Sequence, residues 1–174
     1  QLLREITRHR ARMVRGLSSV KISLRALLAR HNMQPLYKYP FGPLGLYFFS
    51  QQEFGLVDNV ARDELLARFH HYATEISTIE ARMKELQPQY PQIEALTELH
   101  GFGLYSAMVI IAELGDVKRF RRAKQVAAYA GLTSRVHQSG EHCYRGHISK
   151  QGSPRMRWIL VEEAMKLVDK DGAM

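Results

Sequence analysis

Residues 2–31 read LLREITRHRARMVRGLSSVKISLRALLARH, and the spacing within this stretch decides the fold class. Leu3, Ile6, Arg10, Met13, Leu17, Val20, Leu24 and Leu27 are separated by alternating steps of three and four residues. At 3.6 residues per turn such a set lines one face of a helix, a heptad seam interrupted only by Arg10. His31, Asn32 and Pro35 end the pattern, since proline lacks an N–H and pushes its predecessor out of helical conformation. A second seam follows at Leu65, Phe69, Tyr72, Ile76, Ile79, Met83 and Leu86, closed by Pro88 and Pro91. Between the seams, Pro35, Pro40, Gly42, Pro43 and Gly45 mark a connector with room for a short apolar helix near 44–50. The seams predict two long helices, paired antiparallel through the connector or across a dimer. Spacing alone does not choose.

From Ile93 the periodic segments shorten. Residues 93–99 and 105–114 read as short apolar helices separated by His100-Gly101-Phe102-Gly103, and residues 122–130 as another, stopped by Gly131. A last helix opens at Ser153-Pro154, with serine as the cap and proline in the first helical position, and runs to about Val168. Residues 132–152 are polar, without helical period, and read as an exposed, mobile loop. The expected fold is mainly α: long antiparallel coiled-coil helices over residues 1–91, then a small helical domain with a helix-hairpin-helix over residues 92–174.

The chain has 174 residues and a net charge of +8, unevenly spread. Residues 1–31 carry eight basic side chains against Glu5, residues 51–115 ten acids against four bases, and residues 116–157 ten bases against Asp116 and Glu141. Two basic blocks around an acidic one suggest a polyanion held at two surfaces. No apolar run reaches the roughly 18 residues of a membrane span, so no membrane partner is expected. The single Cys143 rules out an internal disulfide and fits a reducing, cytoplasmic setting. The first residues, Gln1-Leu2-Leu3, read as the middle of a longer protein.

Chemistry concentrates in the C-terminal half. Gly101 and Gly103 permit a tight turn between helices, and the free N–H groups at the next helix start can hold a phosphate without reading sequence. Arg121, Arg122 and Lys124 open the following helix. Beyond it, Ser139 and Ser149 stand among Arg135, His137, His142, Arg145, His147, Lys150, Arg155 and Arg157. A hydroxyl can attack phosphorus, and cations stabilise the charge on its oxygens. Ser153 is better used as a helix cap. His137, His142, Cys143 and His147 lack metal-ligand spacing, and no metal site is expected on them.

The run from Leu96 to Leu160 resembles the C-terminal domain of insertion sequence one-ten transposases. The resemblance rests on Gly101-Phe102-Gly103, Glu113-Leu114-Gly115-Asp116, Phe120, Ala127-Ala128-Tyr129-Ala130-Gly131-Leu132, Ser139-Gly140, Ile148-Ser149-Lys150-Gln151-Gly152 and Arg157. Residues 1–31 resemble the segment preceding that family's coiled coil. His100 and Ser134 depart from the pattern, which usually has proline there. The resemblance implies a DNA transposase or site-specific recombinase in which Ser139 forms a phosphoserine link to DNA. Ser149-Lys150 is the rival pair, assigned to phosphate contact. It further implies a dimer or higher homo-oligomer, a structured guide RNA in some members, and a bacterial, nucleoid-associated location. A separate N-terminal RuvC-like domain would hold Mg²⁺ on four acids, with no cofactor in this segment, which alone should not cut DNA. The alternative is a non-catalytic helix-hairpin-helix module that only binds nucleic acid.

Overall fold

The computed structural model describes residues 1–139 and 142–171. Its elements are helices α1 (Leu2–Arg30), α2 (Pro43–Gln51), α3 (Leu56–Leu86), α4 (Pro91–Thr97), α5 (Leu104–Leu114), α6 (Ala123–Tyr129) and α7 (Pro154–Asp171), with strands β1 (Ser134–Ser139) and β2 (His142–Ile148) before α7. The fold is mainly α, as the periodicity predicts. The chain divides into two units, residues 8–82 and residues 1–7 with 83–174, so the division falls inside both long helices.

In the unit of residues 8–82 the long helices pair within the chain. Arg10 meets Glu80 at 2.7 Å, Gly16 faces the Tyr72 ring, and Arg30 and His31 reach Asp58 at 3.1 and 2.7 Å. Rising numbers on α1 meet falling numbers on α3, which is antiparallel pairing. The one polar member of the first seam, Arg10, is thus matched by an acid of the facing helix. Val20, Leu24, Leu28, Phe49 and Phe69 form the buried core, with Leu17, Leu65 and Tyr72 packed on it. Both seams supply it, because burying their apolar stripes is the main force holding such helices together. The connector joins this core through α2, whose Phe49 is buried, and through Phe41, which stacks on Phe49 and Phe69 at 5.8 and 6.0 Å.

The second unit gathers the short helices. Val109, Ile110, Leu114, Ala130, Met156 and Ile159 form its core, edged by Leu96, Phe102, Phe120 and Leu160. Residues 1–7 join it through hydrogen bonds: Arg4 donates to the Ala112 carbonyl at 3.0 Å, and Arg155 to that of Thr7 at 3.5 Å. The glycine and proline signals stop helices where expected. Gly131 follows α6 with φ +73, and Ser153 Oγ accepts the Met156 N–H at 3.3 Å at the start of α7.

One expectation is corrected. The stretch read as a loop is an antiparallel hairpin of β1 and β2. Strands are recognised by alternating apolar and polar residues, and here Val136, Cys143 and Ile148 are mixed with Ser134, Gln138 and Arg145 in one alternate set, so no continuous apolar face announces them. The Gly140-Glu141 pair between the strands lies outside the described residues.

Candidate nucleic-acid interface

The hairpin is anchored where α6 ends and α7 begins. Gly131 takes φ +73, and a Cβ there would stand 2.0 Å from the Gln151 carbonyl oxygen. Gly152, at φ +100, approaches the Tyr129 carbonyl as closely. The Lys150 N–H donates to the Gly131 carbonyl at 3.0 Å, and the Ser149 N–H to that of Thr133 at 2.8 Å. This closure holds Lys150 at φ 55, a left-handed conformation that costs a non-glycine residue about 1 kcal/mol.

The register sets which residues share a face. Ser139 lies opposite His142, His137 opposite Tyr144, Val136 opposite Arg145, and Ser134 opposite Ile148. Arg135 therefore faces two residues, Gly146 and His147, in a bulge. Bulges locally sharpen twist and re-aim side chains. Ser139 closes β1 at the end of the hairpin remote from this bulge. Arg135, Tyr144, Gly146, His147, Ile148 and Lys150 line a cavity of ≈ 390 Å³. Arg135 also donates to the Ser149 carbonyl at 3.1 Å. Two cations, an imidazole and an exposed phenol thus border one opening. The paired positive charges of Arg135 and Lys150 suit an anion.

The sequence-derived candidates have different fates. Arg135 and Lys150 come together at the cavity, with half-buried Ser149 adjoining. Ser139 ends β1; its side chain and those of Arg145, His137, His142 and Cys143 lie outside the described residues. Arg155 and Arg157 are half-buried and hold the Thr7 and Ala130 carbonyls, which uses only part of each guanidinium's five donors. Arg121, Arg122 and Lys124 are exposed at the start of α6, where the Gln125 side chain accepts the Arg121 and Arg122 N–H groups at 2.7 and 3.2 Å. Gly101 forms the turn before α5 at φ +85, and Gly103 precedes α5 without a side-chain cap. Tyr144 was missed as a cavity residue, and the sequence carried no local signal for it. Among the described residues, no three His, Cys, Asp or Glu side chains gather as metal ligands, and no helix is long and apolar enough to cross a membrane.

A buried carboxylate supports the glycine turn. Glu163 of α7 is 1% exposed and accepts from Ser106 Oγ at 2.5 Å and from Lys166 Nζ at 2.9 Å. Lys166 also reaches the Gly101 carbonyl at 3.5 Å. Burying an unpaired charge is costly, so the lysine and the serine hydroxyl are what make this carboxylate tolerable. Glu163→Leu would leave the Ser106 hydroxyl buried without its acceptor, while half-exposed Lys166 can return to water. The expected loss is about 2 kcal/mol in urea unfolding. Adding Ser106→Ala should recover part of that loss; simple additivity in the double-mutant cycle would exclude the coupling.

Comparison with known proteins places this region. Residues 93–174 match the model of the transposase IS116/IS110/IS902 family. A protein described as "Probable family 20 transposase" in Pseudomonas aeruginosa is 35% identical over 101 residues, covering 54% of this chain and 30% of its own length. The transposase for insertion sequence element IS1111A of Coxiella burnetii is 29% identical over 93 residues, covering 53% of this chain and 26% of its own length. In Streptomyces coelicolor, an uncharacterised protein of insertion element IS110 is 27% identical over 95 residues, covering 55% of this chain and 24% of its own length. The matched segment is thus less than a third of each of these relatives.

Proposed function

We propose that residues 93–174, an IS110/IS116-type transposase C-terminal region, bind the DNA backbone and supply the serine that breaks and rejoins it. The observation that carries this reading is the cation-lined cavity on the hairpin whose first strand ends at Ser139. Arg135 and Lys150 draw in a phosphodiester and stabilise charge on its non-bridging oxygens. The Ser139 oxygen attacks phosphorus, a new P–O bond forms, and the bond to one bridging oxygen breaks. The serine proton passes to a base, and the departing strand leaves as a hydroxyl after taking up a proton. Attack by the hydroxyl of another strand on the phosphoserine reverses the step and frees Ser139, joining new partners without net hydrolysis. The imidazoles at 137 and 142 and the carboxylate at 141 are the nearest proton acceptors to Ser139 in sequence.

Ser149 and Lys150 act as phosphate contacts. Gly101 and Gly103, in a helix-hairpin-helix formed by α4 and α5, anchor the duplex further along. Arg121, Arg122, Lys124, Arg145, Arg155 and Arg157 add cationic contacts. Mg²⁺, bound to the acids of a separate RuvC-like domain, would supply Lewis-acid charge to the same phosphate. Strand exchange needs several cleavages held together, so the active protein is a dimer or larger. A structured RNA is a second polyanion suited to the same cations.

Binding is tested by salt dependence. Each lost phosphate contact lowers the slope of log affinity against log salt by about one. Arg135→Gln with Lys150→Gln should therefore flatten the slope by about two for duplex DNA measured by fluorescence anisotropy. An unchanged slope would remove the cavity from the interface. The 174-residue chain itself should bind but not cut DNA, whatever divalent ion is added.

A further inference from the structure

The unit of residues 8–82 carries a cationic and aromatic surface that its own fold does not neutralise. Between residues 8 and 31, α1 and its end contain no acid. Arg10 and Arg30 are matched by Glu80 and Asp58. Arg12, Arg15, Lys21 and Arg25 have no carboxylate partner among the described residues; Arg12 instead meets His9 at 3.3 Å. Several acids of α3 are already occupied within or beside that helix: Asp63 pairs with Arg62 and Glu64 with Arg68. Arg12, Arg15 and Arg25 are exposed, and Lys21 is half-buried.

The connector laid against α1 reads Tyr37-Lys38-Tyr39-Pro40-Phe41. Lys21 and Arg25 lie over the Phe41 ring, 5.4 and 5.2 Å from its centre, and Phe41 is fixed by stacking on Phe49 and Phe69. Cation–π contact thus places two charged heads beside the connector. Tyr39 is 74% exposed, with Lys38 Nζ 5.7 Å from its ring centre. Tyr47 of α2 is 63% exposed. Exposed rings interleaved with unpaired cations match the needs of a strand whose bases are not paired. Phosphates take the cations, and a base takes the aromatic face. A closed duplex hides its base faces. Lys21 and Arg25, about one turn apart on α1, stand on the side that meets the connector, whereas Arg12 lies half a turn round the helix from Lys21.

We propose that this surface, separate from the hairpin cavity, binds a single-stranded segment of nucleic acid, with Tyr39 stacking on an unpaired base. The test uses the whole 174-residue chain carrying Arg135→Gln and Lys150→Gln, which isolates this surface from the hairpin. Twelve-nucleotide oligo-dT and oligo-U with a central 2-aminopurine, and a twelve-base-pair duplex, serve as probes. Tyr39→Ala should weaken single-strand binding roughly 10-fold and abolish 2-aminopurine quenching, while Tyr39→Phe keeps both. Duplex affinity should not respond to Tyr39→Ala. Loss on oligo-dT or oligo-U alone identifies the sugar; loss on both means that phosphate and base suffice. Lys38→Gln, which leaves Phe41 untouched, should flatten the single-strand salt slope by about one. Single-strand binding indifferent to Tyr39→Ala would overturn the proposal. So would a Tyr39→Ala effect on sedimentation alone, which would make this face a contact between copies of the chain.

Discussion

With the RuvC-like domain that the proposed function requires present, Ser139→Ala is expected to abolish the covalent protein–DNA adduct while DNA affinity stays within about 3-fold. The asymmetry follows from what one oxygen does. As nucleophile it forms the bond to phosphorus, and loss of a nucleophile commonly costs a factor of about 10³ or more in rate. As a neutral contact on an interface dominated by cations it adds little affinity, since binding depends mainly on neutralised phosphates. Ser149→Ala should behave differently. Ser149 sits where β2 closes against Thr133, its N–H bonded to that carbonyl and its own carbonyl held by Arg135. Its replacement should slow the reaction or weaken binding but preserve the adduct. Denaturing gel electrophoresis of end-labelled DNA reads both outcomes. An adduct that survives Ser139→Ala and vanishes with Ser149→Ala would transfer the nucleophile to Ser149.

Gly131→Val is expected to destabilise the unit of residues 83–174 by about 4 kcal/mol. Gly131 has φ +73, which L side chains adopt at a cost, and β-branching adds to it. More severe is space: the new Cβ would stand 2.0 Å from the Gln151 oxygen and 2.7 Å from its nitrogen, both main-chain atoms. Relief requires moving residues 149–152, the segment that holds Lys150 beside Arg135. Thermal unfolding should show the loss, and DNA binding at temperatures below the transition should weaken with it. Gly103→Ala is the control. Gly103 has φ −87 and nothing within 4 Å of a built Cβ, so stability should change by no more than about 0.5 kcal/mol. Equal effects at the two glycines would mean that the close approach at Gly131 is not a constraint.

The candidate site residues show where sequence reading reaches its limit. Arg135, Lys150, Arg155 and Arg157 are alike as cations within one basic block. Only folding separates them: the first two line a cavity, and the last two hold the Thr7 and Ala130 carbonyls. Those partners are 148 and 27 residues away in sequence, beyond any local pattern. Ser106, Lys166 and Glu163 likewise read separately as one small and two charged helix residues, and became a buried cluster only when α5 met α7. The family resemblance added what spacing could not, the assignment of Ser139 rather than Ser149 as nucleophile, and the adduct experiment bears on that choice.

Local chemistry was enough for the helices. Two stripes recurring near 3.6 residues have one favourable arrangement, a long helix with that stripe buried, and proline, glycine and Ser153 act on the residues beside them when they mark the ends. These effects operate over a few residues and are readable in order along the chain. The pairing of α1 with α3 inside one chain, the hairpin with its bulge opposite Arg135, and the meeting of Arg135 with Lys150 belong to the tertiary structure. Each depends on distances between segments far apart in sequence. A hairpin without a continuous apolar face carries no alternation to announce it, and a cavity exists only once its walls have met.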